Sequence, residues 1–140
     1  MKKIFGVIIT AVLCAAVCLS LVGCGGGIEK EEAHRTVSQF FSELVADDAE
    51  GAIALTYPAL GVESAAFKNY ILEVEEECGI KFTDGRSNMR VGTSEHIGGD
   101  EYAVGGHINI GDVRISFELT VKSDGGGTGI YRIDIGGIKF

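Results

Sequence analysis

Residues 101–122 read EYAVGGHINIGDVRISFELTVK and carry the pattern that decides the fold. From residue 113 onward apolar and polar residues alternate strictly, and the apolar ones are Val113, Ile115, Phe117, Leu119 and Val121. Alternation with a period of two is typical of a strand with one buried and one solvated face. Gly111-Asp112, between two such runs, is typical of a two-residue hairpin turn. The stretch therefore predicts an antiparallel β-hairpin.

The position of the turn also predicts which residues of the two strands lie opposite each other. Closing the hairpin at Gly111-Asp112 gives four apolar pairs on one face: Ile110 with Val113, Ile108 with Ile115, Val104 with Leu119 and Tyr102 with Val121. Gly106 then falls opposite Phe117, whose ring can cover the missing side chain. On the other face Glu101 lies opposite Lys122, a favourable cross-strand pair. A shift by one residue would lose these matches, so the register is a specific prediction.

Further strands are predicted on both sides of this hairpin. Residues 89–97 form a strand that is joined to Glu101 through Gly98-Gly99-Asp100. Downstream, the glycine-rich stretch 124–128 predicts a turn, and the inward residues of the last strand are Tyr131, Ile133 and Ile135. Gly136-Gly137 is interpreted as a bulge before Ile138 and Phe140. The second half of the chain is thus predicted to be a four- or five-strand antiparallel meander.

Three helices are predicted before the strands, because the apolar period there is that of a helix. The first runs from about residue 28 to 46, and its apolar stripe is Val37, Phe40, Phe41, Leu44 and Val45. Asp47 or Asp48 caps a short second helix that Pro58 stops. Glu63 or Ser64 opens a third helix, which Gly79 ends and whose stripe is Phe67, Tyr70, Ile71, Val74 and Cys78. The predicted fold class is α+β, with N-terminal helices packed on the sheet.

The amino-terminal segment has the composition of a secretory signal. Met1-Lys2-Lys3 is short and positive, and residues 4–22 are almost wholly apolar. The apolar run is somewhat long for a signal, so a transmembrane anchor that is never cleaved is the alternative. The residues at the end of the run, Leu21-Val22-Gly23-Cys24, argue against that alternative.

Leu21, Val22, Gly23 and Cys24 resemble the lipobox of bacterial lipoproteins. The resemblance implies that the Cys24 thiol receives a diacylglycerol group, that signal peptidase II cuts before it, and that the new amino terminus is often acylated. Cys14 and Cys18 do not fit this pattern, because neither follows a small residue; their predecessors are Leu13 and Val17. Two or three acyl chains give stable membrane attachment, whereas one chain is marginal.

The predicted organisation is a cleaved signal at 1–23, a lipidated cysteine with a glycine tether at 24–27, and one α+β domain at 28–140. The protein is expected outside the cytoplasm, on the outer leaflet of the cell membrane or on an outer membrane. Removal of residues 1–23 would leave ten of the 12 basic residues against all 20 acidic ones, a formal charge of −10. Such a surface excludes nucleic-acid binding, which needs a basic footprint, and favours a soluble monomeric domain.

A second resemblance concerns residues 33–140. Their order of helices and strands is similar to the NTF2-like, cystatin-like fold, in which a curved sheet wraps a long helix. The more specific resemblance is to small secreted NTF2-like lipoproteins grouped as DUF4878, through a spaced phrase that reads here Val37, Phe40, Leu44, Asp48, Ala52, Leu55 and Pro58. The resemblance implies a fold and no activity, since such a fold hosts enzymes, ligand binders and dimerisation modules alike.

Glu95 is the one candidate catalytic residue. If Ile97 pairs with Tyr102, Glu95 falls opposite Val104 on the apolar face, where a carboxylate would have a raised pKa and could act as a base. The alternative is that the strand ends or bulges near Thr93 and leaves Glu95 in water. Four tyrosines could offer hydroxyl groups to a pocket or simply pack as core and rim residues: Tyr57, Tyr70, Tyr102 and Tyr131.

Other reactive side chains have structural interpretations. The spacing of His34, His96 and His107 predicts no metal site, and His96 and His107 are expected on polar strand faces. Residues 75–77 are three consecutive glutamates and predict a solvated helix face. Residues 125–127 are glycines of a hairpin loop rather than a phosphate-binding loop. Cys78, the one cysteine after Cys24, is expected to be a buried and inert thiol.

Two hypotheses about function follow from these residues. The first is a non-enzymatic envelope lipoprotein that binds a small apolar ligand or a protein partner and needs no cofactor beyond its covalent lipid. The second is an isomerase or hydrolase that uses Glu95 with a pocket tyrosine. The contents of the space between helices and sheet distinguish the two.

Overall fold

The computed structural model describes residues 28–85 and 88–140. The predicted signal, the lipobox at residues 21–24 and the glycine tether lie outside the described residues. Within the described ranges the chain forms three α-helices followed by five strands, an α+β fold as predicted. None of the helices in these ranges is long and apolar enough to cross a membrane.

The helices follow the predicted boundaries closely. They are α1 (Lys30–Val45), α2 (Ala49–Ala54) and α3 (Ser64–Cys78). Short 3₁₀ turns span Pro58–Leu60 and Phe82–Asp84. The predicted stripe of α1 is confirmed, since four of its residues are buried: Val37, Phe40, Phe41 and Leu44.

Asp47 and Asp48 connect α1 to α2 and have different roles. Asp47 adopts a left-handed conformation with φ of 58°. Its N–H donates to the carbonyl of Leu44 at 3.2 Å, while the N–H of Asp48 donates to Glu43 at 2.9 Å. These two bonds close the end of α1 as a Schellman motif, whose left-handed position glycine usually occupies. The Asp48 carboxylate then accepts the N–H of Gly51 at 2.8 Å, so Asp48 is the predicted cap of α2.

The sheet is an antiparallel meander with the strand order β1-β2-β3-β4-β5. The strands are β1 (Asn88–His96), β2 (Glu101–Ile110), β3 (Val113–Asp124), β4 (Gly127–Ile135) and β5 (Ile138–Lys139). The predicted hairpin register is confirmed at every pair, from Ile110 opposite Val113 to Glu101 opposite Lys122. Of the described residues, no strand pairs with the outer edge of β1, so the sheet stays open.

The predicted register of β1, with Ile97 opposite Tyr102, is wrong, because His96 lies opposite Tyr102 and the strand contains a bulge. Val91 lies opposite Gly106 and Thr93 lies opposite Gly105, so Gly92 is the extra residue. The carbonyl oxygen of Arg90 would lie 2.0 Å from a Cβ at position 106, so the close approach of the two strands at the bulge requires a glycine there. An extra residue reverses which side chains face inward.

A second bulge, in β4, corrects the predicted position of Tyr131. Ile130 lies opposite Val121 and Arg132 opposite Thr120, so Tyr131 is the extra residue of the strand. Ile130 is therefore the buried residue at this point, whereas Tyr131 is only half-buried. The inward positions of Ile133 and Ile135 are confirmed by their burial.

Gly136 and Gly137 form a turn rather than the predicted bulge. Their φ angles are 64° and 84°, and Ile135 pairs with Ile138 across them. Two successive positive φ angles are the requirement of a type I′ hairpin turn, which consecutive glycines meet without steric cost.

The segment after α2 covers part of the free edge of β4. The N–H of Tyr57 donates to the Ile130 carbonyl at 2.8 Å, and the N–H of Ile130 donates to the Leu55 carbonyl at 2.8 Å. Gly129 permits this approach, because a Cβ there would lie 2.4 Å from the carbonyl carbon of Thr56. The helical half is thereby tied to the sheet by backbone hydrogen bonds.

Aromatic side chains fill the space between the helices and the sheet. The rings of Phe41 and Phe117 lie 4.9 Å apart, and Phe40 lies 5.7 Å from Phe41 and 6.0 Å from Phe67. Phe40, Phe41 and Phe67 have no exposed surface, and Phe117 is 4% exposed. Edge-to-face and tilted contacts of this kind pack densely and stabilise a core beyond the area they bury.

Candidate functional site

Glu95 lies on the exposed outer face of the sheet. It pairs with Ala103 instead of Val104, because the β1–β2 hairpin closes with His96, and not Ile97, opposite Tyr102. Its side chain is exposed to solvent. The interpretation that placed Glu95 in water beyond a bulge near Thr93 is therefore confirmed, and the one that placed it on the apolar face is wrong.

Three tyrosine hydroxyls are engaged in hydrogen bonds that tie elements together. Tyr70 donates to the Ile138 carbonyl at 2.7 Å, and burial raises the pKa of Tyr70 well above its ordinary value. Tyr102 donates to Ser94 Oγ at 3.3 Å. Tyr57 donates to Asp124 Oδ1 at 2.5 Å, which raises the pKa of Tyr57 to about 12. All three rings are buried, as structural tyrosines are.

Tyr131 belongs to a cluster that holds the β3–β4 turn in place. Lys122 Nζ lies 4.7 Å from the centre of the Tyr131 ring and 5.3 Å from that of Tyr57. It also lies 3.6 Å from Asp124 Oδ2. The hydrogen bond from Tyr57 lowers the pKa of Asp124, with help from the N–H of Gly126. The charged groups of Lys122 and Asp124 thus find their partners within the cluster. This pairing indicates that the cluster stabilises the turn.

Two histidines meet at Tyr102. His96 lies opposite Tyr102 on the same face of the sheet, with ring centres 5.2 Å apart, although His96 itself is exposed. Its predicted position on the polar face is therefore wrong. The ring of His34, on α1, lies 6.5 Å from Tyr102. His34 Nε2 is buried without a hydrogen-bond partner among the described residues, and burial lowers the pKa of His34. His107 lies on the outer face, 3.3 Å from Arg114 Nη2.

No three residues among His, Cys, Asp and Glu come together in a metal-binding arrangement within residues 28–85 and 88–140. Cys78 is half-buried rather than fully buried as predicted. Its Sγ would lie 2.6 Å from a Cβ at Gly136, so the sulfur packs on the β4–β5 turn. Partial burial raises the pKa of this thiol. Burial is incomplete because Cys78 is the last residue of α3, at the open end of the helix.

A groove on the helical side is the candidate site that the sequence patterns did not reveal. It has a volume of about 450 Å³ and opens between the end of α1, the start of α2 and one face of α3. Its lining residues are Leu44, Asp47, Asp48, Ala49, Glu50, Lys68, Ile71, Leu72 and Glu75. Leu44 is 6% exposed and forms part of the floor, whereas Leu72 is 61% exposed on the wall. The sequence signal that was missed is Leu72, an apolar residue outside the buried stripe of α3.

Hydrogen bonds hold the acidic rim of the groove in place. Asp48 is fixed as the cap of α2, and Glu50 accepts the hydroxyl of Ser64. Glu75 Oε2 accepts the N–H of Phe82 at 2.9 Å, so this glutamate is more than a solvated residue of the helix face. Lys68 Nζ lies 4.0 Å from Glu50, a solvent-exposed and therefore weak ion pair.

A second depression of about 490 Å³ adjoins the groove and shares Glu75. Its apolar lining residues are Ile80, Ile110 and Val113. Val113 is one of the exposed large apolar residues of the described chain. The two depressions together make the surface around Glu75 on α3 concave.

A scan against models of protein families, a search of curated proteins and a search of solved structures each found no match to this chain. Function is therefore inferred from the residues and geometry of the chain itself. The interior is filled by side chains, and three tyrosine hydroxyls already donate to protein acceptors. The helical side carries an acidic groove with an apolar floor. Such a groove can bind another molecule through apolar contacts and electrostatic attraction, without catalysing a reaction.

Proposed function

We propose that this chain is a lipid-anchored envelope lipoprotein whose NTF2-like domain binds a protein partner on its helical surface. The observation that carries the proposal is the groove beside Leu72, which exposes apolar surface in a concave site. Concave surfaces with an apolar base and a polar rim are the usual form of binding sites. The lipobox-like residues 21–24 support attachment through Cys24.

The packing of the interior favours a protein partner over a small apolar ligand. A ligand in the NTF2-like manner would occupy the space between α1 and the sheet. Phe40, Phe41 and Phe117 occupy that space and contact one another. Opening a cavity there would break close-packed aromatic contacts, which costs several kcal/mol for a single large side chain (about 3–5 kcal/mol).

No observation favours the enzymatic alternative. Glu95 is exposed on the outer face, on the opposite side of the sheet from the inward Tyr102. The hydroxyls of Tyr57, Tyr70 and Tyr102 already donate to protein acceptors. The NTF2-like assignment is supported by the element order, in which helices precede a five-strand meander and α1 packs across the sheet.

Site-specific photo-crosslinking in the intact cell envelope tests the proposal. A photoreactive amino acid is placed in the full chain at position 60, 72, 97 or 113, each of which carries an exposed apolar residue. We expect a discrete protein adduct at position 72 and none at position 97, which lies in the β1–β2 connection. Absence of protein adducts at all four positions would contradict a protein-binding role. A small molecule retained in native mass spectra of the purified protein would favour the ligand alternative instead.

A further inference from the structure

We infer that the groove binds a cationic amphipathic segment, which presents apolar side chains to the floor and lysine or arginine side chains to the rim. This inference rests on the proposed function and adds the chemical class of the partner. Two independent properties of the groove support it, namely its charge and its apolar surface.

The charge of the groove favours a basic partner. Its lining contains four carboxylates, on Asp47, Asp48, Glu50 and Glu75, against the single ammonium of Lys68. The formal charge of the lining is therefore −3, and the groove belongs to a domain that is itself acidic. Concave walls focus the field of such charges and speed the approach of a ligand of opposite sign. Anionic lipid headgroups and nucleic acid would be repelled by the same field.

The apolar surface of the groove excludes a purely ionic partner such as a free polyamine. Leu72 projects 61% of its surface into solvent beside the half-buried Ile71 and the floor residue Leu44. A bound segment would remove the surface of Leu72 from water, and this burial supplies affinity that salt does not screen. The volume of about 450 Å³ admits a few side chains, as an amphipathic segment presents along one face.

A second copy of this chain is a poor occupant. Each copy would bring the same acidic rim, and like charges placed together across an interface oppose association. Ile97 and Phe140 are exposed apolar residues that another copy could offer, but no basic residue other than Lys139 lies next to them in the chain. The partner is therefore a different molecule with a basic surface.

The test uses two nine-residue peptides with the same leucine positions at i, i+3, i+4 and i+7. One carries lysine at the remaining positions and the other carries glutamate. Affinities are measured by fluorescence anisotropy against the lipidated full-length protein in nanodiscs of zwitterionic lipid, with empty nanodiscs subtracted. We expect the lysine peptide to bind and the glutamate peptide to show no binding. We also expect the lysine peptide to bind more weakly as salt is raised, because part of the attraction is ionic.

Two pairs of variants locate the binding. Leu72→Ser and Ile97→Ser each remove an apolar side chain that is at least half exposed, at 61% and 51%, so neither disturbs the core. Asp47→Asn and Glu95→Gln each remove one negative charge, the first inside the groove and the second on the sheet. We expect Leu72→Ser to weaken the lysine peptide about tenfold and Asp47→Asn about threefold, whereas the Ile97 and Glu95 variants stay within about twofold.

Equal weakening within either pair would overturn the inference, because binding would then be non-specific. No binding of the lysine peptide above empty nanodiscs would overturn it as well. Either result would contradict the basic partner proposed for the groove, but neither would by itself contradict the proposed protein-binding function. A protein adduct at another photoreactive position, together with an inert groove, would leave a protein-binding lipoprotein with a different site.

Discussion

Two single residues of this domain adopt conformations or environments that are unfavourable for their residue type. Asp47 occupies the left-handed position after α1, where glycine is usual, and its carboxylate lines the groove. His34 keeps a buried nitrogen without a partner among the described residues. Periodicity in the sequence predicted the helix that carries His34 and the connection that contains Asp47. It could not predict these features, because no glycine marks the left-handed position at Asp47. The surroundings of the His34 ring, which include Tyr102, are distant in the chain.

Replacing Asp47 by glycine is expected to stabilise the fold. Glycine adopts φ near +58° without the steric cost of a Cβ, and we expect the free energy of unfolding to rise by about 0.5–1 kcal/mol. Asp48→Ala is the matched control, since it removes the same charge from the next residue. Loss of its cap on α2 should lower the free energy of unfolding by about 1 kcal/mol. Urea denaturation measures both; a loss of stability in Asp47→Gly would show that its carboxylate stabilises the turn.

His34 is expected to make stability fall in mild acid. Burial lowers the pKa of His34 in the folded state below its ordinary value of 6.5. The unfolded chain therefore binds a proton more readily, so stability is complete above pH 6.5 and decreases as the pH falls below it. Thermal unfolding between pH 7.5 and 5 measures this loss. We expect His34→Gln to reduce the pH dependence and His107→Gln, on the outer sheet face, to retain it; unchanged pH dependence in His34→Gln would rule out His34 as its source.

At the scale of elements, the sequence predicted the central hairpin fully and its neighbours only in part. The β2–β3 register follows from a two-residue turn and strict alternation, both of which are local. The bulges at Gly92 and Tyr131 each insert one extra residue into a strand of an antiparallel pair. Nothing in the alternation of β1 or β4 indicates the position of the extra residue. Glu95 and His96 exchanged faces relative to the predicted strand, because His96, and not Ile97, lies opposite Tyr102. The groove was not predicted either, because its lining residues come from three helices whose relative positions a local sequence pattern does not contain.

The bulge in β1 depends on the absence of a side chain at Gly106. A Cβ there would lie 2.0 Å from the Arg90 carbonyl oxygen, which is backbone and cannot rotate away. We expect Gly106→Ala to lower the free energy of unfolding by about 3 kcal/mol or to change the register of β1. Gly92→Ala is the control from the same bulge, because a Cβ at Gly92 meets nothing within 4 Å. Its effect should stay within about 0.5 kcal/mol in chemical denaturation; similar losses in both variants would show that chain entropy, not the contact, explains these glycines.

At the scale of the whole molecule, the groove lies at the end of α1 that is farther along the chain from Cys24. The helix has 16 residues and is therefore about 24 Å long. Ile28, just before it, is buried, so the domain begins no more than a few residues after Cys24. Leu44 and Asp47, at the other end of α1, line the groove. If Cys24 carries the lipid, as we propose, the attachment point and the groove are separated along the chain by the whole of α1.

The anchor itself is the last prediction, and it depends on one sulfur atom. Diacylglycerol is attached through a thiol in lipoproteins that carry a lipobox, so Cys24→Ser should abolish incorporation of labelled fatty acid. Cleavage before residue 24 should also stop, so the protein should retain residues 1–23. Cys18→Ser is the matched control, because it changes a cysteine of the same apolar run without touching Leu21-Val22-Gly23. Its labelling should equal that of the unaltered protein. Labelled fatty acid on the Cys24→Ser protein would place the lipid elsewhere and contradict the lipobox interpretation of residues 21–24.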